Sequence, residues 1–175
     1  AFAERDITWH PETLVRRLDP ERKVAITTDG TEMAYDLFLG VPKHHAPPVV
    51  VDAGLTVDGW IPVDPLTLET VFPDVYAVGD VTSVGTPKAG VFSEGQAGVV
   101  ADRIAARIRG EEATSEYGGR GICYLEAGGG LVARVGVTFL AGQPPIGDFD
   151  APSLAYADDK REFGVSRIRS WFGQP

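Results

Sequence analysis

The sequence predicts an α/β chain, and three features carry that prediction. Val75-Tyr76-Ala77-Val78 is a continuous apolar run stopped at once by Gly79-Asp80, as expected of a strand buried on both faces. A helical pattern follows from about Gly90 to Arg109, with Val100, Ile104 and Ile108 recurring on one face and Gly110 as a stop. Further on, Gly121–Glu126 and Leu131–Leu140 flank the turn Ala127-Gly128-Gly129-Gly130 and read as a hairpin, with one more helix behind it.

Composition narrows the class. The chain has 175 residues, 43% hydrophobic and 23% charged, ordinary globular values that argue against a disordered chain. A net charge of -9 argues against nucleic acid, whose phosphates need a basic face, and against broad attachment to anionic lipid. No run is long and apolar enough for a membrane helix, and no signal peptide is evident. The chain starts Ala1-Phe2-Ala3-Glu4 and its only methionine is Met33, so residue 1 is not expected to be a translation start. Cys123 is the only cysteine, which excludes an internal disulfide and favours a cytoplasmic origin.

The remaining elements follow in order. Ile7–His10 is short and β-prone, and then either Leu14–Leu18 continues a meander up to the Asp19-Pro20 turn or Pro11-Glu12 opens a helical turn. Lys23–Thr28 is a strand with Asp29-Gly30 as its hairpin signal, and Tyr35–Val41 is a further apolar strand closed by Pro42. Residues 43–73 form an irregular connection in which Gly59–Val63 is an edge strand, because Pro62 cannot donate to a ladder. Residues 111–119 are a polar linker. Gly142–Pro152 is a proline-rich loop, and Ser153 caps a last helix to about Trp171 with Ala157, Gly164, Val165, Ile168 and Phe172 on one face.

A strand, Gly-Asp, a loop and a helix make a sensible cofactor site. Open α/β sheets bind ligands at the carboxyl ends of their strands. Gly79 lets backbone approach a ligand, and the Asp80 carboxylate can accept hydrogen bonds from sugar-alcohol hydroxyls. The helix beginning near Ala89-Gly90 offers free N–H groups and a positive dipole end to a carbonyl that gains negative charge, and Lys88 adds a full charge. Gly90, Gly95, Ala97 and Gly98 leave room for a planar ring. The alternative is a plain crossover with a surface aspartate.

The stretch VDPLTLETVFPDVYAVGD (Val63–Asp80) closely resembles the second flavin-binding signature of the pyridine nucleotide–disulfide oxidoreductase family. Thr70, Pro73, Val75, Tyr76, Ala77, Gly79 and Asp80 all match it. GTPKAGVFSEGQA (Gly85–Ala97), GICYLEAGGG (Gly121–Gly130) and the ending from Lys160 to Gly173 resemble the sulfide:quinone oxidoreductase and flavocytochrome c sulfide dehydrogenase branch. The resemblance implies FAD as cofactor, with Asp80 on the ribityl chain and Lys88, Ala89 and Gly90 beside the pyrimidine end of the ring. It implies the C-terminal part of a flavoprotein with two dinucleotide-binding domains: residues 1–45 ending an NAD-like middle domain, 46–112 closing the FAD domain, and 113–175 forming a hairpin-helix domain. No G-x-G-x-x-G follows a strand here, so the chain alone is expected to hold FAD weakly or not at all.

For Cys123 two readings stand. A lone cysteine in an apolar strand is usually inert core. The sulfide-oxidising relatives implied by the resemblance carry a redox cysteine in this hairpin, whose partner would lie outside this chain. Glu94, one turn into the flavin-side helix, is a proton-transfer candidate beside its reading as a solvated carboxylate. His44 and His45 point to opposite faces if extended, so no metal site is expected. Arg167, Ile168, Arg169, Trp171 and Phe172 either pack on the hairpin or seat the chain at a membrane interface. The function expected is transfer of electrons from a small-molecule donor such as sulfide, through FAD, to a quinone or other acceptor. The rivals are an NAD(P)H-linked reductase of the type II NADH dehydrogenase kind, which needs no cysteine at 123, and a non-catalytic module supporting a homodimer.

Overall fold

A computed structural model describes residues 2–173, which divide into two units, one up to residue 43 and one from residue 44 onward. Among the described residues no helix is long and apolar enough to cross a membrane.

The first unit is a three-stranded antiparallel sheet, β1 (Val15–Asp19), β2 (Val24–Thr27) and β3 (Glu32–Ala34), in that order. Asp29-Gly30 turns the chain as expected: Gly30 has φ +89° and the Asp29 carboxylate accepts the Thr31 N–H at 3.0 Å. β2 is central, and Val24, Ala25 and Thr27 are buried. Two expected strands are absent. Ile7–His10 is irregular after a 3-10 turn at Ala3–Arg5, where the Ile7 N–H bonds the Phe2 carbonyl instead of a neighbour. Tyr35–Val41 is not a strand either. β3 runs out of partner, because Ala34 already pairs with Val24 at the start of β2 and the next residues face a turn. Leu37, Leu39 and Val41 are left exposed.

The second unit starts with a single helical turn, α1 (Pro48–Asp52), opened by proline at its first position. The chain then folds on itself in short pairings. Leu68 is wholly buried, its carbonyl accepting the Ala77 N–H, and Glu69 bridges Tyr76 in antiparallel sense. Ile61 bridges Thr82 in parallel sense, its N–H bonding the Val81 carbonyl at 2.9 Å. The expected strands at Gly59–Val63 and Val75–Val78 therefore reduce to isolated bridges. A strand needs a ladder, and among the described residues Gly59–Val63 has only isolated bridges, Trp60 to Val57 and Ile61 to Thr82, while Val75–Val78 has the single bridge of Tyr76 to Glu69. Only Ala77 of Val75–Val78 is buried, so the reading of a strand covered on both faces is corrected.

Helix α2 (Gly90–Arg109) has the predicted bounds, and Gly110 ends it in the left-handed conformation. Its inward face is not the predicted one. Phe92, Gln96 and Ala106 are buried, whereas Ile104 is exposed and Ile108 is 81% exposed. Arg103 lies on the inward side and donates to the carbonyls of Ala113 and Ser115, tying the polar linker to the helix.

The hairpin is a three-stranded antiparallel sheet: β4 (Arg120–Gly128), β5 (Leu131–Thr138) and β6 (Ile146–Ser153), with β5 central. The proline-rich stretch thus contributes a strand. Pro152 is tolerated at the irregularity between Val132 and Arg134, where Ala151 and Pro152 oppose one residue of β5. Ser153 pairs with Val132 instead of capping, and α3 (Ala155–Phe172) starts after Leu154 without a side-chain cap. α3 lies on the sheet through the edge-to-face contact of Phe163 on Tyr124, with ring centres 5.6 Å apart, and the ion pair of Lys160 with Glu126. Of the predicted face, Ile168 and Phe172 are exposed.

Candidate functional site

The site forms where the chain passes from Val78 into α2. Gly79–Val81 is a 3-10 turn, and Gly79 adopts φ +78°. A β-carbon on Gly79 would also stand 3.0 Å from the Ser93 hydroxyl oxygen, so the left-handed backbone and the approach of α2 both favour glycine. The Gly79 N–H donates to the Gln96 Oε1 at 2.6 Å, and the Thr82 hydroxyl donates to the Gly79 carbonyl at 2.9 Å. The turn is thereby fixed from both sides.

Asp80 points into solvent, and its carboxylate accepts no hydrogen bond from any described residue. The start of α2 is equally open. Ala89 occupies the cap position with no side-chain hydrogen bond, and the first turn holds no acidic residue. The first N–H groups of α2 are thus uncapped, and a β-carbon on Gly90 would meet nothing within 4 Å. Lys88 stands beside Asp80 but is turned inward. Its ammonium donates to the carbonyls of Asp80 and Thr82 and lies 3.4 Å from the centre of the Trp60 ring. Burial lowers its pKa, and the nearby Asp80 charge works the other way. The predicted group of Gly79, Asp80, Lys88, Ala89 and Gly90 is therefore brought together, with Lys88 bracing the loop.

These residues fit a flavin nucleotide. An unengaged carboxylate suits ribityl hydroxyls, and uncapped helix N–H groups suit an electron-rich ring carbonyl. Gln96 and Tyr117 were not read from the sequence. Gln96 is 1% exposed, and its Nε2 donates to the Thr86 hydroxyl at 3.2 Å. The Tyr117 ring rests against Gly95, and its buried hydroxyl lies near Gln96 and Thr86 without meeting hydrogen-bond geometry with either. Burial raises its pKa. The signal for Gln96 was a polar residue on the same helical face as Phe92, four positions on.

Cys123 lies on β4 opposite Val135 and is exposed, so it is not the inert core residue of one reading. Its neighbours Ile122 and Tyr124 point to the other face of the strand. There they line a cleft of about 570 Å³ between α2, β4 and α3, together with Val91, Gly95, Phe163 and Arg167. Gly121 borders the cleft through its backbone, and on Cys123's face of the strand a β-carbon there would collide with the Phe92 ring at 2.6 Å. Glu94 is no free carboxylate: Arg167 donates to its Oε2 at 2.8 Å and rests on the Phe163 ring, closing one end of the cleft. Among the described residues no group of three His, Cys, Asp or Glu side chains is placed to hold a metal ion.

Comparison with known proteins adds four findings. Residues 1–103 match the family described as pyridine nucleotide-disulphide oxidoreductase. The mitochondrial sulfide:quinone oxidoreductase of Schizosaccharomyces pombe is 29% identical over 146 residues, covering 80% of this chain and 31% of that protein. Among solved structures, the sulfide:quinone oxidoreductase of Aquifex aeolicus superposes with a TM-score of 0.75 at 20% identity, over 97% of this chain and 43% of that one. A chain of the Tetrahymena thermophila mitochondrial ATP synthase superposes with a TM-score of 0.62 at 21% identity, over 76% of this chain and 34% of that one. These two likenesses concern the fold. The chain spans under half the length of each relative.

Proposed function

Because the chain belongs to the pyridine nucleotide-disulphide oxidoreductase family, we propose that it supplies the flavin-ring end of an FAD-dependent oxidoreductase that moves electrons from sulfide to a quinone. One observation carries the cofactor assignment: an exposed, unengaged Asp80 carboxylate set beside an uncapped helix start by a glycine turn in which a side chain would be strained. FAD, when bound, supplies two-electron acceptance and release. Asp80 would hold the ribityl hydroxyls, and the N–H groups of Ala89, Gly90 and Val91 would face the pyrimidine end of the ring. Lys88 keeps the loop closed and adds positive charge nearby.

Donor and acceptor sides follow from the alternation of β4. Cys123 offers a solvent-facing thiol on one face, suited to thiol–disulfide exchange with a cysteine from outside these residues. Hydrosulfide attack on such a disulfide forms a persulfide on one sulfur and releases the other as thiolate. On the opposite face, the cleft walled by Val91, Ile122 and Phe163 suits a planar, largely apolar acceptor, and the Glu94–Arg167 pair together with Arg120, Asp159 and Glu162 adds charge to its lining. The name of the Schizosaccharomyces pombe relative supports quinone as that acceptor. The test of the cofactor assignment is FAD retention. In the polypeptide extended to the length of its relatives, Asp80→Ala should weaken FAD by about tenfold or more, since it removes a charged hydrogen-bond acceptor. Unchanged retention removes Asp80 from the site.

A second reading has one observation in its favour. Leu125 and Phe149 on the sheet, and Ile168, Trp171 and Phe172 on α3, are exposed. Such faces suit a homodimer contact or a peripheral membrane contact. Sedimentation of the chain with and without vesicles separates these two.

A further inference from the structure

We propose that Gln96 is the positioning residue of the cofactor loop, its buried amide holding the Gly79–Asp80 backbone against the start of α2. The proposal rests on the flavin reading of that loop.

Glutamine is seldom fully buried, yet Gln96 and Leu68 are the two largest wholly buried side chains of the described residues. Burying an amide is unfavourable unless its polar atoms find partners. Both ends of this one do, and both partners belong to the same loop. The Oε1 accepts the Gly79 N–H at the loop's start, and the Nε2 donates to the Thr86 hydroxyl near its end. One side chain thus spans the two limbs that lead from Gly79 into α2. A leucine or methionine would fill the space equally well, so packing alone does not account for an amide. The Gly79 N–H has no other partner among the described residues. Tyr117 borders the cluster: its ring lies against Gly95, and its buried hydroxyl lies near Gln96 and Thr86 without hydrogen-bond geometry to either.

The experiment compares Gln96→Met, Gln96→Glu and Tyr117→Phe in the complete polypeptide, at slightly acidic pH. Two quantities are read: amide hydrogen exchange at Gly79 without FAD, and the dissociation constant for FAD. Gln96→Met keeps the volume and removes both hydrogen bonds. It should speed Gly79 exchange and weaken FAD by about tenfold each, with the exchange of α2 unchanged. A glutamate side chain still offers one oxygen to the Gly79 N–H and a second to the Thr86 hydroxyl, which can donate as well as accept, so Gln96→Glu should restore both to within about threefold. Tyr117→Phe keeps the ring against Gly95 and leaves both Gln96 hydrogen bonds in place, so it should change each quantity less than Gln96→Met does. Should Gln96→Met fail to fold, Thr86→Val removes only the second anchor and should give smaller changes of the same sign. The proposal is overturned if Gly79 exchange is unaltered in Gln96→Met, or if it rises while FAD affinity stays at the wild-type value. A wild-type polypeptide that binds no FAD sinks the flavin reading instead, and the exchange arm still decides whether Gln96 fixes Gly79.

Discussion

At the scale of single residues, Gly79 is doubly constrained, by φ +78° and by the Ser93 hydroxyl 3.0 Å from where a β-carbon would stand. Gly79→Ala should therefore destabilise the chain by about 1–2 kcal/mol, read as a lower urea midpoint. This residue and Asp80 were legible in the sequence, because a Gly-Asp after an apolar run is a local pattern. Gln96 was not, since its meaning lies in a partner seventeen positions earlier that only the tertiary fold supplies. Cys123 was half legible. Its place on a hairpin strand was clear, but its exposure depends on which face of β4 the helices cover, and α3 covers the other one.

Among elements, helices were easier to read than strands. α2 has its predicted bounds because helical hydrogen bonds are internal and Gly110 supplies a local stop. Strands depend on partners, so Val75–Val78 lost its ladder while Ile146–Ser153 gained one on the free edge of β5. The turn that leads to Leu68 illustrates local chemistry with a pH signature. The Asp64 carboxylate accepts the Thr67 and Leu66 N–H groups at 2.8 and 2.9 Å, which holds its pKa below the ordinary 3.8. A depressed carboxylate pKa stabilises the fold above the unfolded value and loses that contribution as pH falls through the folded one. Asp64→Asn should therefore flatten the loss of stability below pH 3.8, measured as urea midpoint against pH. α3 holds no buried residue among those described, and the Arg167–Glu94 pair joins it to α2. Arg167→Ala should cost about 1 kcal/mol and speed amide exchange in α3 while leaving the buried turns of α2 protected.

For the molecule as a whole, the resemblance read from the motifs agrees with the family match and with the fold of the Aquifex aeolicus relative. The motifs carried this because they lie in contiguous stretches, from Val63 to Asp80 and from Gly85 to Ala97. They could not carry the exposed flank of α2, where Ile104 and Ile108 face solvent despite their periodicity. A flavin site with no G-x-G-x-x-G loop of its own has no evident pyrophosphate cradle, so these 175 residues should bind FAD only weakly, with a flat titration at micromolar flavin. The decisive measurement uses the polypeptide extended to its relatives' length, loaded with FAD and kept anaerobic. Its flavin absorbance is followed as sulfide, and separately NADH, is added. The account predicts rapid bleaching by sulfide, lost in Cys123→Ser without a change in thermal midpoint, since an exposed side chain contributes within about 0.5 kcal/mol. Bleaching by NADH but not by sulfide, unaffected by Cys123→Ser, would contradict it.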